Sequence, residues 1–435
     1  MNGNPEFRRH LWLEMTLYRM AGMPLLLAGV FYIAYLSDNS RFGESVAATA
    51  AVLFVSLTFL WGNRQATESI ITEIRDRTWD WQRMSSIDPW SLSWGKLFGS
   101  TIYTWYGGIF CLAVYFASSG DPTQDTIRII AILVLGAILC QASGLLASLQ
   151  LIVIKERDYS RSFSSAFLLL SILVLPGFMP QMMHKGSVVW YGNGYAKIDF
   201  ILGSLLCFDA WLLAGIYCLV REAFKFRTAP IAWPAFTLFL MMYAAGFIEN
   251  SMGNGDLFSS RLLIAFIIAC GLTYLTILTE RKDPVAYRRM IKEAKDRRWL
   301  RLLEKAPCWA LTLPFVVVTA IFLIAFTSGA GENVGRLSPV FIISLVAFLG
   351  RDIALFNFFN LGERTKRADM LVILWLSILY GLIPGILMLL KMEAVTAVFW
   401  PRTDYAFLSC FAALCQLLAA WWLTLTRWKN HHLTV

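Results

Sequence analysis

Residues 71–99 read ITEIRDRTWDWQRMSSIDPWSLSWGKLFG, the most polar long segment in the first half of a chain otherwise made of apolar runs. Ile70, Ile74, Trp81 and Met84 recur at helical spacing, so Ile70–Met84 is expected as one amphipathic helix. Glu73 sits four residues before Arg77, and Asp80 three before Arg83, spacings at which ion pairs lace a helix face. Ser85-Ser86 loosens that helix. Asp88 then offers an N-cap, with Pro89 at the first position of a new helix that carries Gly95-Lys96 into an apolar run. The expected shape is a rigid knuckle between two membrane spans.

Composition supports the membrane. The 435 residues are 57% hydrophobic, 14% aromatic and 15% charged, whereas soluble domains carry about 25% charged residues. Seven of the eight cysteines (Cys111, Cys140, Cys207, Cys218, Cys270, Cys410 and Cys415) lie in apolar runs with no Cys-x-x-Cys pair. They read as small apolar residues, not as disulfides or ligands. The four histidines form no ligand-spaced pair apart from the terminal His431-His432, so no metal site is expected.

Apolar runs recur near 20–36, 46–61, 97–117, 129–153, 163–182, 200–220, 231–248, 262–278, 309–326, 337–350, 371–390 and 405–426. A helix of about 20 residues crosses the hydrocarbon core. The expectation is therefore an all-α polytopic membrane protein with about twelve transmembrane helices. The tenth run is the weakest, since Arg351-Asp352 interrupts it, and 353–361 reads as an interfacial continuation. Of the 38 Lys and Arg, 30 fall in the N-terminus and every second loop: 1–19, 62–96, 155–162, 221–230, 279–308, 350–370 and 427–435. That asymmetry places both termini, and the knuckle, in the cytoplasm.

Pro5–Arg19 is too polar to span and lacks the layout of a signal peptide, so it reads as an interfacial helix entering the first span. Pro284–Lys305, PVAYRRMIKEAKDRRWLRLLEK, reads as a basic amphipathic helix on the inner leaflet. Its Arg288, Arg289, Lys292 and Lys295 would each gain about 1 kcal/mol near anionic lipid. Arg297-Arg298-Trp299-Leu300 echoes Arg8-Arg9-His10-Leu11, and Arg351-Asp352 echoes Arg75-Asp76, suggesting a degenerate repeat from about residue 284. The chain divides into a six-span unit over 1–230 containing the segment 68–99, two further spans over 231–283, and a basic helix with four spans over 284–435.

Glu73, Thr78, Trp79, Asp80, Arg83-Met84, Pro89-Trp90, Leu92 and Gly95-Lys96 together resemble the cytoplasmic coupling segment of type-2 ABC exporter permeases. That family runs roughly acidic–basic–Gly–Thr, then Leu/Met, Thr-Pro-Leu-Ser-Pro, and Gly-Lys before the third span. Arg77 stands where the family usually has Gly, and Ser86 where its first Pro is common. The resemblance covers 71–99 closely and the first 220 residues only by span order. It implies an ABC ATPase subunit in trans that docks on Glu73, Arg75, Asp76, Thr78, Asp80, Arg83, Pro89, Gly95 and Lys96. ATP and Mg would belong to that partner, with no cofactor in this chain. It further implies an N-terminal elbow helix, and short re-entrant helices where Pro176, Pro180, Gly186, Trp190, Tyr191, Gly192 and Gly194 gather.

No phosphate-binding Gly-x-x-x-x-Gly-Lys-[Ser/Thr] loop, Gly-x-Ser-x-Gly elbow or His-Glu-x-x-His helix occurs, so no enzymatic activity is expected of the chain itself. Asp209, an acid within the apolar Leu202–Val220, needs a cavity, a partner or a proton, and is a candidate for the translocation path. Arg128 and Gln141 are its candidate partners, and Gln141 is itself a second path candidate. Gln141 and Gln150 are nine residues apart and so face opposite sides of their helix.

The leading expectation is a permease subunit of an ABC exporter in a bacterial cytoplasmic membrane. Its partners would be the ATPase, membrane lipids and, if each chain is half a transporter, a second permease chain; nucleic acid is not expected. The alternatives are an ion-coupled carrier working through Asp209 and a non-transporting membrane assembly protein.

Overall fold

A computed structural model describes residues 4–37, 43–85, 87–119, 124–154, 186–224, 226, 231–248, 257–279, 284–329, 338–361 and 368–431. Almost all of them are helical. Contacts divide the chain into two units, 1–188 with 194–228, and 189–193 with 229–435.

The first unit begins with α1 (Pro5–Glu14), which Asn4 caps and Pro5 starts, and α2 (Leu17–Ser37). The expected 5–19 helix therefore breaks at Met15-Thr16. Next, α3 (Glu44–Phe54) runs through a π-helical stretch, Val55–Trp61, into α4 (Gly62–Arg75). The result is one rod of 32 residues. At about 1.5 Å per residue that rod outruns a hydrocarbon core of about 30 Å. Its polar last turns in α4 consequently project past the apolar zone.

The knuckle follows as α5 (Trp79–Met84), α6 (Pro89–Ser100) and α7 (Ile102–Ser118), the last two bent by 56°. The Asp88 carboxylate caps α6, accepting from the amides of Trp90 at 3.0 Å and Ser91 at 3.3 Å. Ile70–Met84, however, is not one helix. Arg77 adopts φ 57°, and the amide of Thr78 folds back onto the Glu73 carbonyl at 2.9 Å. The rods α8 (Gln124–Ile154) and α9 (Lys197–Ala223) complete the unit. Trp79 tucks into a core with Ile70, Leu92, Leu145 and Ile216, which seats the knuckle on α4, α8 and α9.

The second unit holds α10 (Ala232–Ala245), α11 (Leu257–Thr279), α12 (Pro284–Lys295), α13 (Trp299–Lys305), α14 (Cys308–Gly329) and α15 (Pro339–Asn360). It ends with α16 (Ala368–Ser377), α17 (Ile383–Leu389), α18 (Glu393–Thr396) and α19 (Ala406–His431). Pro284–Lys305 is thus two helices, parted where Arg297 takes φ 53°. Two helix pairings recur in both units. In the first, α3 lies on α7 and α8 on α9; in the second, α11 lies on α14 and α15 on α19.

Nine helices among the described residues are long and apolar enough to cross a membrane, and the bent pair α6–α7 passes the same test jointly. Leu25, Ile109, Phe411 and Leu418 stand exposed along them, an apolar surface that lipid covers and water does not. The apolar run at 163–182 lies outside the described residues. Arg351-Asp352 does not interrupt the tenth run: α15 continues through the pair to Asn360. Residues 187–196 form a β-hairpin, Ser187–Trp190 with Asn193–Ala196, so Trp190, Tyr191, Gly192 and Gly194 are not helical. Its turn uses Tyr191 at φ 51° and Gly192 at φ 80°, as the two-residue hairpin turn requires. Pro176 and Pro180 lie outside the described residues.

Candidate functional site

Lys96 is the only lysine of the α6–α7 stretch, and burial leaves its side chain 2% exposed. A buried ammonium needs carboxylates around it. The fold supplies two: Glu6 of α1, with Oε1 at 2.9 Å, and Glu73 of α4, in direct contact. Arg9 closes the ring, its Nη2 lying 2.6 Å from Glu6 Oε1 and 2.6 Å from Glu73 Oε1. Gln82 of α5 donates to Glu73 Oε1 at 2.8 Å. Two cations meet two carboxylates: Glu6, Glu73 and Lys96 are buried, and the Arg9 side chain, 43% exposed, forms the rim. His10 Nε2 lies 3.3 Å from Glu6 Oε1.

Backbone approach makes this geometry attainable. Asn4 caps α1 by accepting from the amides of Glu6 and Phe7 while donating to the Ser91 carbonyl of α6. A β-carbon at Gly95 would stand 2.8 Å from Asn4 Oδ1 and 2.8 Å from the Glu6 β-carbon. Only glycine lets α1 lie that close to α6. Burial alone would raise the Glu6 carboxyl, but hydrogen bonds from His10, Arg9 and Lys96 outweigh it and hold the group well below the usual carboxylate range.

The nine knuckle residues of the sequence reading therefore separate. Glu73, Gly95 and Lys96 converge on the cluster, and Pro89 is buried at the start of α6. Glu73 pairs with Lys96 and Arg9, not with Arg77, because Arg77 lies beyond the helix in the turn. Thr78 closes that turn, with Oγ1 donating to the Glu73 carbonyl at 3.3 Å. Arg75, Asp76 and Asp80 are exposed. The expected Asp80–Arg83 pair forms at 3.4 Å on the outer face of α5, beside exposed Trp81 and Met84. Asn4, Glu6 and Gln82 were not singled out in the sequence, and Arg9 and His10 only as part of a repeat echo. Their signal was the lone Lys96 in an apolar run, which demands a carboxylate, and the Glu6-x-x-Arg9-His10 spacing on one helical face.

Asp209 is 5% exposed. Neither of its carboxyl oxygens has a hydrogen-bond partner among the described residues. Both expected partners are engaged elsewhere. Arg128 pairs with Asp125 and Asp199, each at 3.4 Å. Gln141 donates to the Thr58 carbonyl inside the π-helical stretch at 3.0 Å and accepts from Trp105 Nε1 at 3.0 Å, knitting α8 to the first rod and to α7.

Asp209 is also not the sole intramembrane acid. Asp352, fully buried in α15, accepts from Tyr274 of α11 and from Tyr380 at 2.7 Å each. Arg351 lies 2.7 Å from Asp352 Oδ1 and donates to Gln416 of α19 at 2.6 Å. The pair is fully housed within its unit, which explains the unbroken helix.

On α12, Arg289, Lys292 and Lys295 are exposed, whereas the Arg288 guanidinium lies 5.8 Å over the Trp428 ring of α19. Tyr287 donates to Asn357 of α15 at 3.2 Å. Part of the stripe expected against lipid is thus packed on the protein. Among the described residues no cluster of His, Cys, Asp and Glu could hold a metal ion. No family model, curated protein or solved structure matches the chain.

Proposed function

We propose that the protein is the membrane subunit of an ABC exporter in a bacterial cytoplasmic membrane, with ATP hydrolysed by a separate subunit that grips α5. The Glu6–Glu73–Lys96 cluster, buried beneath half-exposed Arg9, carries this reading. It bolts α1, α4, α5 and α6 into one block, continuous with the α3–α4 rod and, through the bend, with α7. A push on the outer face of α5 would reach two spans through Gln82, Glu73 and Lys96.

Asp80, Trp81, Arg83 and Met84 form that outer face, a mixed apolar and ion-paired surface suited to a protein partner. Nucleotide-driven closure of the paired ATPases would shift the chain between inward-open and outward-open populations, through contacts that differ between the two states. Twelve spans with both termini in the cytoplasm complete the proposed topology.

The test is whether the chain, purified from native membranes, brings a Walker-motif ATPase whose hydrolysis it stimulates. An ATPase absent from the complex would contradict the reading.

The ion-coupled carrier has one specific observation in its favour: two buried intramembrane acids, Asp209 and Asp352. Asp352 is held by Arg351 and two tyrosines, a structural arrangement, so the carrier reading rests on Asp209 alone. Transport that survives an ionophore but stops without ATP excludes it.

A further inference from the structure

The segment Glu73-Ile74-Arg75-Asp76-Arg77-Thr78-Trp79 has a counterpart 220 residues on: Glu293-Ala294-Lys295-Asp296-Arg297-Arg298-Trp299. Four residues are identical, and Arg75 is matched by Lys295. The backbones agree as well. At the first turn the amides of Asp76, Arg77 and Thr78 donate to the carbonyls of Thr72 at 2.8 Å, Ile74 at 3.2 Å and Glu73 at 2.9 Å. At the second, Asp296, Arg297 and Arg298 donate to Lys292 at 3.0 Å, Ala294 at 3.2 Å and Glu293 at 3.0 Å.

Each turn turns on an arginine with positive φ, 57° and 53°, a conformation that costs a non-glycine residue about 1 kcal/mol or more. In each, Trp then opens a short helix, and a proline, Pro89 or Pro307, stands at the entry of the next rod. Two surrounding helix pairs also correspond, α3–α7 with α11–α14 and α8–α9 with α15–α19. Sequence and turn together thus favour aligning 293–299 with 73–79 over the two shorter echoes, although the turn alone also recurs at Lys391 with φ 56°.

The second turn also shows apolar side chains to solvent, though from other positions: Trp299, the counterpart of buried Trp79, is itself exposed. Trp299 is 63% exposed and Leu303 46%, among exposed Lys295, Asp296, Arg298 and Arg301. On the first knuckle Trp81 and Met84 are exposed among Asp76, Arg77 and Asp80. We propose that Asp296–Leu303 is a second docking knuckle, and that it receives a second copy of the nucleotide-hydrolysing domain that docks on α5. One chain then supplies both sockets. This rests on the ABC reading above.

Native mass spectrometry of the full chain, purified from its own membranes, counts nucleotide-binding domains per chain. Wild type is expected to carry two. Trp299→Asp/Leu303→Asp should carry one, as should Trp81→Asp/Met84→Asp. The domain retained at the untouched knuckle shows that each variant is folded. Should the first variant lose both domains, the surface exchange Lys295→Glu/Arg301→Glu replaces it, again with one domain expected.

One domain per wild-type chain, unchanged by either second-knuckle variant, would overturn the proposal while leaving the ABC reading intact. Two domains retained by these variants, together with lost binding of the chain to phosphatidylglycerol nanodiscs, would overturn it in favour of a lipid role. A wild-type chain with no Walker-motif partner at all removes the ABC reading, and this proposal with it.

Discussion

Lys96 and Glu6 lie 90 residues apart in the chain and 2.9 Å apart in the fold, both almost completely shielded. That contact fastens the N-terminal helix to the second knuckle helix. Glu73 joins from α4, so the three helices share one neutral knot of charge. Breaking a buried pair by removing one partner leaves an uncompensated charge, at a cost of about 3–5 kcal/mol.

Lys96→Met should therefore destabilise the chain strongly, since Glu6 and Glu73 would then share Arg9 alone. The triple change Glu6→Gln/Glu73→Gln/Lys96→Met removes both uncompensated acids and should recover much of the loss. Thermal unfolding in detergent reads both. Equal midpoints for Lys96→Met and wild type would show the knot to be energetically idle.

Gly95 tests close approach in place of charge. Gly95→Val would drive methyl groups into Asn4 and the Glu6 β-carbon, displacing α1 while leaving every ionic group present. The expected outcome is protease cleavage near residue 15 under conditions where wild type is intact. Unchanged cleavage would mean that α1 sits further from α6 than described.

Acid should loosen the same knot. Glu6 titrates below its unfolded value, so its stabilisation is fully present above the unfolded pKa of about 4.3 and is lost as pH falls below it. The melting midpoint of wild type should drop between about pH 5 and 3. Glu6→Gln should start lower and show a shallower drop. Parallel pH profiles for the two proteins would remove Glu6 from the account.

Asp209→Asn should alter substrate affinity or stability while transport continues to need ATP. A buried acid with no described partner gains from neutralisation, so an unchanged or raised melting midpoint is expected. Complete loss of transport, together with collapse of wild-type transport by an ionophore, would point to ion coupling.

The two knuckle helices differ in how far the sequence disclosed them. Asp88-Pro89 is legible because capping is local: the carboxylate meets amides two and three residues away. The break after Arg75 is not legible, because Glu73 faces Lys96 and Arg9, and no periodicity within Ile70–Met84 announces partners from α6 and α1. Arg351-Asp352 misled for the same reason. A charge pair in an apolar run looks like an interruption until Tyr274, Tyr380 and Gln416 arrive from other helices. Most of the apolar runs were legible from length and composition: nine have described helices with the length and apolarity to span, whereas 231–248 forms only the 14-residue α10. The likeness of 293–299 to 73–79 escaped notice because only four of its residues are identical.

The most direct measurement is ATP hydrolysis by the purified complex in proteoliposomes, comparing wild type with Asp80→Ala/Arg83→Ala. Both residues lie on the outer face of α5, away from the buried knot, so the variant should insert and express normally. The account predicts that substrate-stimulated hydrolysis is abolished while the basal rate of the isolated ATPase is untouched. Normal co-purification with unchanged stimulated hydrolysis would contradict it.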